Sequence, residues 1–260
     1  MERIEILLYS LTILFYFFSN LAGYISYFFK KEKLFSFSFY IFHIALALNT
    51  LTFFFRWVYT KHIPTIGNYE NVLMGSMVLG FLILFFLKKR KNFLPFLFSI
   101  SLNLILLGFG FFYYSSPSPL YASLKSIWLF IHIIFAWLAH SAFILAAGVA
   151  IAYLIKKEEK YEELMLRTTA FGFIFDGLMI VAGSIWAKNL WGSYWSWDPV
   201  ETWSLISFLL YGLMLHLKIT LKIKPKIFAV MLIVSLITVI ISFWGVNFFM
   251  EKSLHIFNVG

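Results

Sequence analysis

Five tryptophans lie close together in the segment Trp186 to Trp203, which also contains Gly192 and Pro199. The whole chain has nine tryptophans, so this tryptophan segment holds more than half of them. One explanation is an interfacial aromatic belt, because membrane proteins concentrate tryptophan at the level of the lipid headgroups. Aromatic side chains packed into one loop can also form a platform on which a large planar ligand stacks. Composition alone leaves both explanations open.

Asp198 and Glu201 lie near the end of the tryptophan segment, in the sequence Asp198-Pro-Val-Glu201. An Asp at the cap, a Pro at the first helical position and a Glu three residues after the cap are typical of a helix start. The pattern predicts that a helix begins here with both carboxylates at its N-terminus. This role is compatible with a ligand held above the helix, so both residues are also candidate ligand contacts.

Six histidines are candidate ligands for a metal such as heme iron, although a lone histidine more often has a packing role. They are His43, His62, His132, His140, His216 and His255. His132 lies about one and a half helical turns inside the apolar run 126–155, and His255 lies just past the apolar run 227–249. Both can reach the side of the membrane that carries the tryptophan segment. Two imidazoles beside an aromatic platform can bind one iron from opposite sides, whereas His62 and His140 are expected to be structural.

The elements that position these residues are helices that cross a membrane. Hydrophobic residues make up 62% of the 260-residue chain and charged residues only 13%, against about 45–50% and about 25% in soluble domains. Only helices satisfy their own backbone in lipid, and about 20 apolar residues suffice to cross it. The apolar runs cover residues 6–29, 34–58, 72–87, 93–112, 126–155, 168–187, 202–221 and 227–249. We therefore predict an all-α polytopic bundle of about eight transmembrane helices, forming one domain over residues 1–260.

Basic residues lie in every second loop between these runs. The four basic loops hold 15 of the 21 Lys and Arg residues. They carry Lys30, Lys31 and Lys33; Lys88 to Lys91; Lys156, Lys157, Lys160 and Arg167; and Lys218, Lys222, Lys224 and Lys226. The positive-inside rule makes these loops cytoplasmic, which places both termini and the tryptophan segment outside. The net charge of +9 is thereby explained, and no nucleic-acid partner is expected.

Two further ionisable residues lie within predicted spans. His216 follows Glu201 by 15 residues, which is about 22 Å of helix and places it near the inner side of a core about 30 Å thick. Asp176 is eight positions into the sixth run, with no compensating charge nearby in sequence. Such residues are candidate functional groups. For Asp176 we consider a hydrogen bond to a neighbouring helix, or a counter-charge or proton acceptor beside His216 or His43.

The tryptophan segment resembles a known signature. The string Trp191-Gly-Ser-Tyr-Trp-Ser-Trp-Asp-Pro-Val-Glu-Thr-Trp203 is similar to the "WWD" motif of heme-handling membrane proteins, in the Glu-Thr-Trp form that marks the CcsA branch. Trp128-Leu-Phe-Ile-His132 and Gly245 to His255 resemble the two external histidine segments of that family. His216 matches its intramembrane histidine, and Pro64 to Glu70 resembles its second outer loop. The resemblance covers about residues 40–260.

The resemblance implies that heme b is both the substrate and the bound ligand. It implies that His132 and His255 are the external axial ligands, acting with Asp198 at the reaction site, and that His216 is the ligand at an inner site. Contacts with the porphyrin are then expected from Trp191, Gly192, Tyr194, Trp195, Trp197, Asp198, Glu201 and Trp203.

The reaction implied by the resemblance is cytochrome c synthesis, in which two thiols of a Cys-x-x-Cys-His segment of apocytochrome c add to the heme vinyl groups. The chain has no cysteine, so it offers neither a disulfide nor a thiolate metal site, and both sulfurs must come from a partner. A CcsB-like membrane protein is expected to supply the second inner ligand, with His43 as an alternative within the chain. The expected location is the bacterial cytoplasmic membrane rather than a plastid thylakoid membrane. The alternatives are a CcmC-type module that passes heme to a carrier without thioether synthesis, and a structural membrane protein that keeps the fold.

Overall fold

The computed structural model describes residues 1–65, 67–87, 93–114 and 124–242. Within these ranges the regular secondary structure consists of eight α-helices without a strand. They are α1 (Glu2–Phe29), α2 (Glu32–Thr60), α3 (Asn68–Leu87), α4 (Phe93–Phe112), α5 (Ile127–Ile155), α6 (Glu159–Trp191), α7 (Pro199–Ile219) and α8 (Pro225–Ile240). In this described part, α1 to α7 are long and apolar enough to cross a membrane. The predicted all-α, multi-pass membrane fold is confirmed, whereas the side on which the termini lie stays a prediction.

The helices belong to two compact units, Met1–Pro119 and Leu120–Gly260. The first unit contains α1 to α4 and the second contains α5 to α8. The sequence suggested one domain over residues 1–260, and that suggestion stays a prediction. The predicted eighth span, 227–249, continues past residue 242 and lies partly outside the described residues.

The first unit is held together near one end by a buried ion-pair cluster. Arg56 on α2 donates from Nε to Glu70 Oε1 at 3.0 Å and from Nη1 to both carboxylate oxygens of Glu5 at 3.3 Å. All three side chains are buried. Tyr114, just beyond α4, donates to Glu5 Oε2, and burial raises the pKa of its hydroxyl, which therefore stays a donor. Charges buried together in this way are costly to separate, so the cluster connects α1, α2 and α3.

The second unit is built around α5, whose apolar surface is largely covered by neighbouring helices. Small residues allow α5 and α6 to approach closely, as in many membrane helix pairs. A Cβ at Gly172 would meet the Phe143 ring at 2.6 Å. On its other side, the Phe143 ring stacks on Tyr211 of α7, with ring centroids 3.5 Å apart. These contacts connect α5, α6 and α7.

Helix α6 is longer than its apolar run predicts. The run covers residues 168–187, but α6 extends over Glu159–Trp191. Most of the charged stretch from Lys156 to Arg167, which precedes the apolar run, is the beginning of α6. Arg167 pairs with Glu163 one turn before it, and Lys218 near the end of α7 pairs with Glu162. These ion pairs connect the first turns of α6 to one another and to α7.

Candidate functional site

The tryptophan segment includes the last residues of α6, and its loop, residues 192–198, begins where α6 ends. Gly192 adopts a left-handed conformation with φ of 80°, and its N–H bonds to the Lys188 carbonyl. Glycine takes this conformation without a steric penalty, which is why it commonly follows the last turn of a helix. The Lys188 ammonium donates back to the Gly192 carbonyl at 2.7 Å and lies 5.5 Å from the centre of the Tyr194 ring. The chain therefore turns sharply out of α6 into the aromatic stretch.

The loop of the tryptophan segment ends at the cap of α7, which is the capping box predicted from the sequence. Asp198 Oδ1 accepts from the Val200 N–H at 2.9 Å. Glu201 Oε2 accepts from the backbone N–H groups of Ser196 and Asp198 at 2.8 and 3.3 Å. Trp197, just before the cap, has φ of 59°, a left-handed conformation that costs a non-glycine residue about 1–2 kcal/mol. The capping box therefore holds a strained loop, and the predicted capping role of Asp198 is confirmed.

A cleft lies between α5, α6, α7 and the tryptophan segment, and we name it the His132 cleft. The cavity within it has a volume of about 40 Å³. The lining residues are His132; Met179, Ile180, Gly183, Ser184 and Trp186; Tyr194 and Trp195; and Val200, Glu201 and Ser204. Four predicted site residues, namely His132, Tyr194, Trp195 and Glu201, thus share one cleft.

His132 is fixed within this cleft by α6. Its Nδ1 is 2.9 Å from the carbonyl oxygen of Met179. A carbonyl only accepts, so Nδ1 carries the proton, and in the neutral ring the lone pair is on Nε2. Histidines that bind metals commonly donate their other ring N–H in this way, which sets the tautomer and the ring orientation. The imidazole also packs flat against Gly183, where a Cβ would meet Nδ1 at 2.7 Å.

The tryptophans differ in how they relate to the cleft. Trp195 and Trp186 line it directly. Trp191 packs edge-on against Trp186, and Trp197 packs edge-on against Trp195, with ring centroids 5.0 and 5.8 Å apart. The Trp197 side chain is 69% exposed. Trp203 is half-buried in the first turn of α7 and is not among the lining residues. Trp186, Tyr194 and Trp195 therefore form the aromatic lining of the cleft, while Trp191 and Trp197 pack against that lining.

The other predicted ligands lie elsewhere or beyond the described residues. His255 lies outside them, so its approach to His132 stays a prediction. His216 is exposed in the last turn of α7, about 22 Å along the helix from Glu201. It therefore cannot contact a ligand held in the His132 cleft. His43 is exposed on α2 in the first unit, with Nδ1 donating to Phe39, and its suggested pairing with His216 stays a prediction.

The remaining histidines have local roles. His62, expected to be exposed, is half-buried in the turn after α2, with Nδ1 3.0 Å from the Ile63 carbonyl oxygen. His140 is buried in α5 with its ring edge-on to Trp137. Both observations agree with a structural role.

Met179, Gly183 and Ser204 line the cleft without having been singled out in the sequence. On α6, Met179, Gly183 and Trp186 are spaced by four and three residues, which places them on one face of the helix. That spacing ending at a tryptophan was the one signal that the sequence offered. The contact of this face with His132 is a product of tertiary packing.

The lining of the cleft offers residue types that heme binding uses. No group of three or more His, Asp or Glu side chains suitable for a metal ion occurs in the described part of the chain. Heme needs only one or two protein ligands for its iron, together with an apolar, aromatic surface for the ring. His132 offers a preset imidazole, and Trp195, Trp186 and Ile180 offer the surface.

The chain is similar to known proteins of cytochrome c assembly. Residues 65–255 match the cytochrome c assembly protein family. The cytochrome c biogenesis protein CcsA of Guillardia theta is 30% identical over 250 residues, covering 81% of this chain and 82% of that protein. CcsA of Prochlorococcus marinus is 27% identical over 252 residues, covering 79% and 78%.

Among solved structures, the cytochrome c heme lyase CcmF is similar, with a TM-score of 0.77 at 15% identity over 92% of this chain. This chain spans about half of that one, 46% of its length, and the likeness shows a shared fold. The family match includes both the helix that carries His132 and the tryptophan segment. The chain therefore belongs to the cytochrome c assembly protein family, as a CcsA-type membrane protein of cytochrome c biogenesis.

Proposed function

We propose that this chain binds heme b in the His132 cleft and presents it, on the outer face of the membrane, for covalent attachment to apocytochrome c. The observation that carries the proposal is the imidazole of His132, held by the Met179 carbonyl in a cleft lined by Trp195 and Trp186. The tautomer set by that hydrogen bond is the one in which Nε2 ligates iron. His255 is proposed as the ligand on the opposite side of the iron.

The chemistry of attachment assigns clear roles to this chain. Each cysteine thiol of the Cys-x-x-Cys-His segment adds across one vinyl group, so that one C–S bond and one C–H bond form and no oxidant is consumed. The chain has no cysteine, so both sulfurs belong to the apocytochrome. The contribution of this chain is to orient the heme ring and to hold the iron until the histidine of the apocytochrome replaces a protein ligand. This is catalysis by proximity. The capping box formed by Asp198 and Glu201 contributes by holding the loop that carries Trp195.

Heme is proposed to reach the cleft from an inner site at His216. This histidine is exposed on the surface of the second unit, as expected of a ligand shared with another protein. A CcsB-like membrane protein is proposed to provide the second ligand there. The bacterial cytoplasmic membrane is the proposed location, with both termini and the tryptophan segment outside.

The test is heme retention by the purified full-length chain, produced with and without a CcsB-like partner and measured by absorption. We expect His132→Ala and Trp195→Ala to lower bound heme and the yield of a cytochrome c reporter. His62→Ala is the matched control for the histidine, and Trp57→Ala, on α2 in the first unit, is the matched control for the tryptophan. Unchanged heme content in both cleft variants would refute the proposal. Bound heme without thioether formation in the presence of the partner would favour a CcmC-type delivery role.

A further inference from the structure

Asp176 is the least explained charged residue of the second unit. Its side chain is 1% exposed, and neither carboxylate oxygen has a hydrogen-bond partner among the described residues. Transfer of an isolated carboxylate into such surroundings is costly unless a charge or a proton compensates it. The family signature does not include this residue, and capping does not explain it, because it lies in the middle of α6.

The part of α7 that packs against this stretch of α6 carries two hydroxyl groups that also have no partner in the described part of the chain. Next to Asp176, a Cβ at Gly177 would meet the Phe208 ring at 3.2 Å, and Phe173 stacks on Phe208 with centroids 4.5 Å apart. This stretch of α6 therefore packs against the part of α7 that carries Ser207 and Tyr211. Both are buried, and neither hydroxyl oxygen has a hydrogen-bond partner there.

This polar group lies directly beneath the His132 cleft. Asp176 precedes Met179, whose carbonyl holds His132, by three residues, or about 4.5 Å of helix. On α7, Ser204 lines the cleft, and Ser207 and Tyr211 follow it at helical spacings of three and seven residues. Polar side chains thus lead from the floor of the cleft into the core, on two facing helices.

Ferric heme has one positive charge at its centre, because the iron charge exceeds that of the porphyrin dianion by one, and ferrous heme has none. A buried charge change of this kind is strongly felt at short range, where the surroundings are poorly polarisable. An anionic carboxylate below the cleft compensates the positive charge of ferric heme. When the heme is ferrous, the charge of that carboxylate is left uncompensated. Reduction of the iron then favours uptake of a proton.

We propose that Asp176, with Ser207 and Tyr211, is an internal proton-binding site that takes up one proton when heme iron in the His132 cleft is reduced. One electron passes from an external reductant to the iron, and one proton passes from water to the Asp176 carboxylate, so the buried charge stays constant. The inference rests on the proposed function, because it requires heme in this cleft. The surrounding helices also carry other titratable groups, and α8 has none between Phe228 and Ile240. They are His132, His140 and Tyr153 on α5, and Glu201, Tyr211, His216 and Lys218 on α7.

The test is a redox titration of the purified full-length protein loaded with hemin, with dithionite as reductant, from mildly acidic to mildly alkaline pH. An anionic Asp176 favours the ferric state, so the wild-type midpoint potential falls as pH rises. The steepest slope is about 59 mV for each tenfold change in proton concentration, the one-electron constant. We expect Asp176→Asn to flatten this slope, because the variant has no carboxylate to titrate at this position. The potential should also rise at alkaline pH, because the negative charge that favours ferric iron is missing. The heme propionates and the histidines remain unchanged in this variant.

Two further variants separate this role from a structural one. Asp176→Glu retains a carboxylate and should keep the pH dependence. Glu163→Gln removes an exposed carboxylate from the same helix and should titrate like the wild type. Hemin binding with the same slope and potential in Asp176→Asn would overturn the inference and leave the proposed function standing. Absence of hemin binding in the wild type would overturn both.

Discussion

Replacement of Gly183 by alanine tests whether α6 positions the His132 imidazole. The added Cβ would lie 2.7 Å from Nδ1, whereas ordinary contacts begin at 3.4 Å. The ring must therefore retreat from α6 by about 0.7 Å. A retreat of that size lengthens the bond from Nδ1 to the Met179 carbonyl from 2.9 Å to about 3.6 Å, beyond hydrogen-bond range. Loss of the partner that orients a metal-binding histidine typically lowers metal affinity about 10–100-fold.

The assay is a hemin titration of the purified Gly183→Ala protein, followed by absorption. We expect affinity to fall by about 10–100-fold, or about 1.4–2.7 kcal/mol. Alanine favours a helix over glycine by about 0.8–1 kcal/mol, which offsets the loss of one hydrogen bond worth about 0.5–1.5 kcal/mol. The thermal unfolding temperature should therefore change little, and weak binding is then not a folding defect. Gly108→Ala on α4 is the control, because a Cβ there meets nothing within 4 Å. Wild-type hemin affinity in Gly183→Ala would refute the account of how His132 is positioned.

Three further predictions concern the cap, the inner site and the first unit. Asp198→Ala should lower the stability of the detergent-solubilised protein by about 1 kcal/mol, and Asp198→Asn should restore most of it; equal unfolding temperatures for both variants would contradict the capping role. His216→Ala should deplete heme at both sites in absorption spectra, and added imidazole should restore heme binding in this variant. His132→Ala should instead leave the inner site filled with heme. Normal heme loading in His216→Ala would rule out the inner route. Arg56→Met should destabilise the protein by about 3–5 kcal/mol, because two buried carboxylates lose their cation. Neutralising both carboxylates in the same variant should recover most of the lost stability. If denaturant titration finds Arg56→Met as stable as the wild type, the cluster does not hold the first unit together.

Features set by local sequence could be predicted well. The start of α7 follows from Asp198, Pro199 and Glu201, because a capping box is a local arrangement of a few residues. The number of helices follows from apolar runs, because each lipid-facing backbone must bond to itself. The length of α6 was underestimated, because hydropathy measures the part of a helix that lies in lipid. The first turns of α6 are supported by ion pairs such as Glu162 with Lys218.

Features set by packing between distant segments could not be predicted. The histidine at position 132 was a candidate ligand from its place in the sequence, but its acceptor, Met179, is 47 residues away. An isolated Gly183 inside an apolar helix indicates a close approach without naming the partner. For Asp176 the sequence left open a hydrogen bond to a neighbouring helix or a role beside His216 or His43, and in the structure its buried carboxylate has no hydrogen-bond partner among the described residues. The sequence contained each residue but not the distances between them.

The most direct test of the central claim is an experimental structure of the full-length chain with heme bound, determined with its membrane partner. The account predicts an iron atom within bonding distance of His132 Nε2, a porphyrin ring against Trp195, and His255 on the opposite side of the iron. Heme located away from the His132 cleft, or an iron ligated there by a residue other than His132, would contradict it.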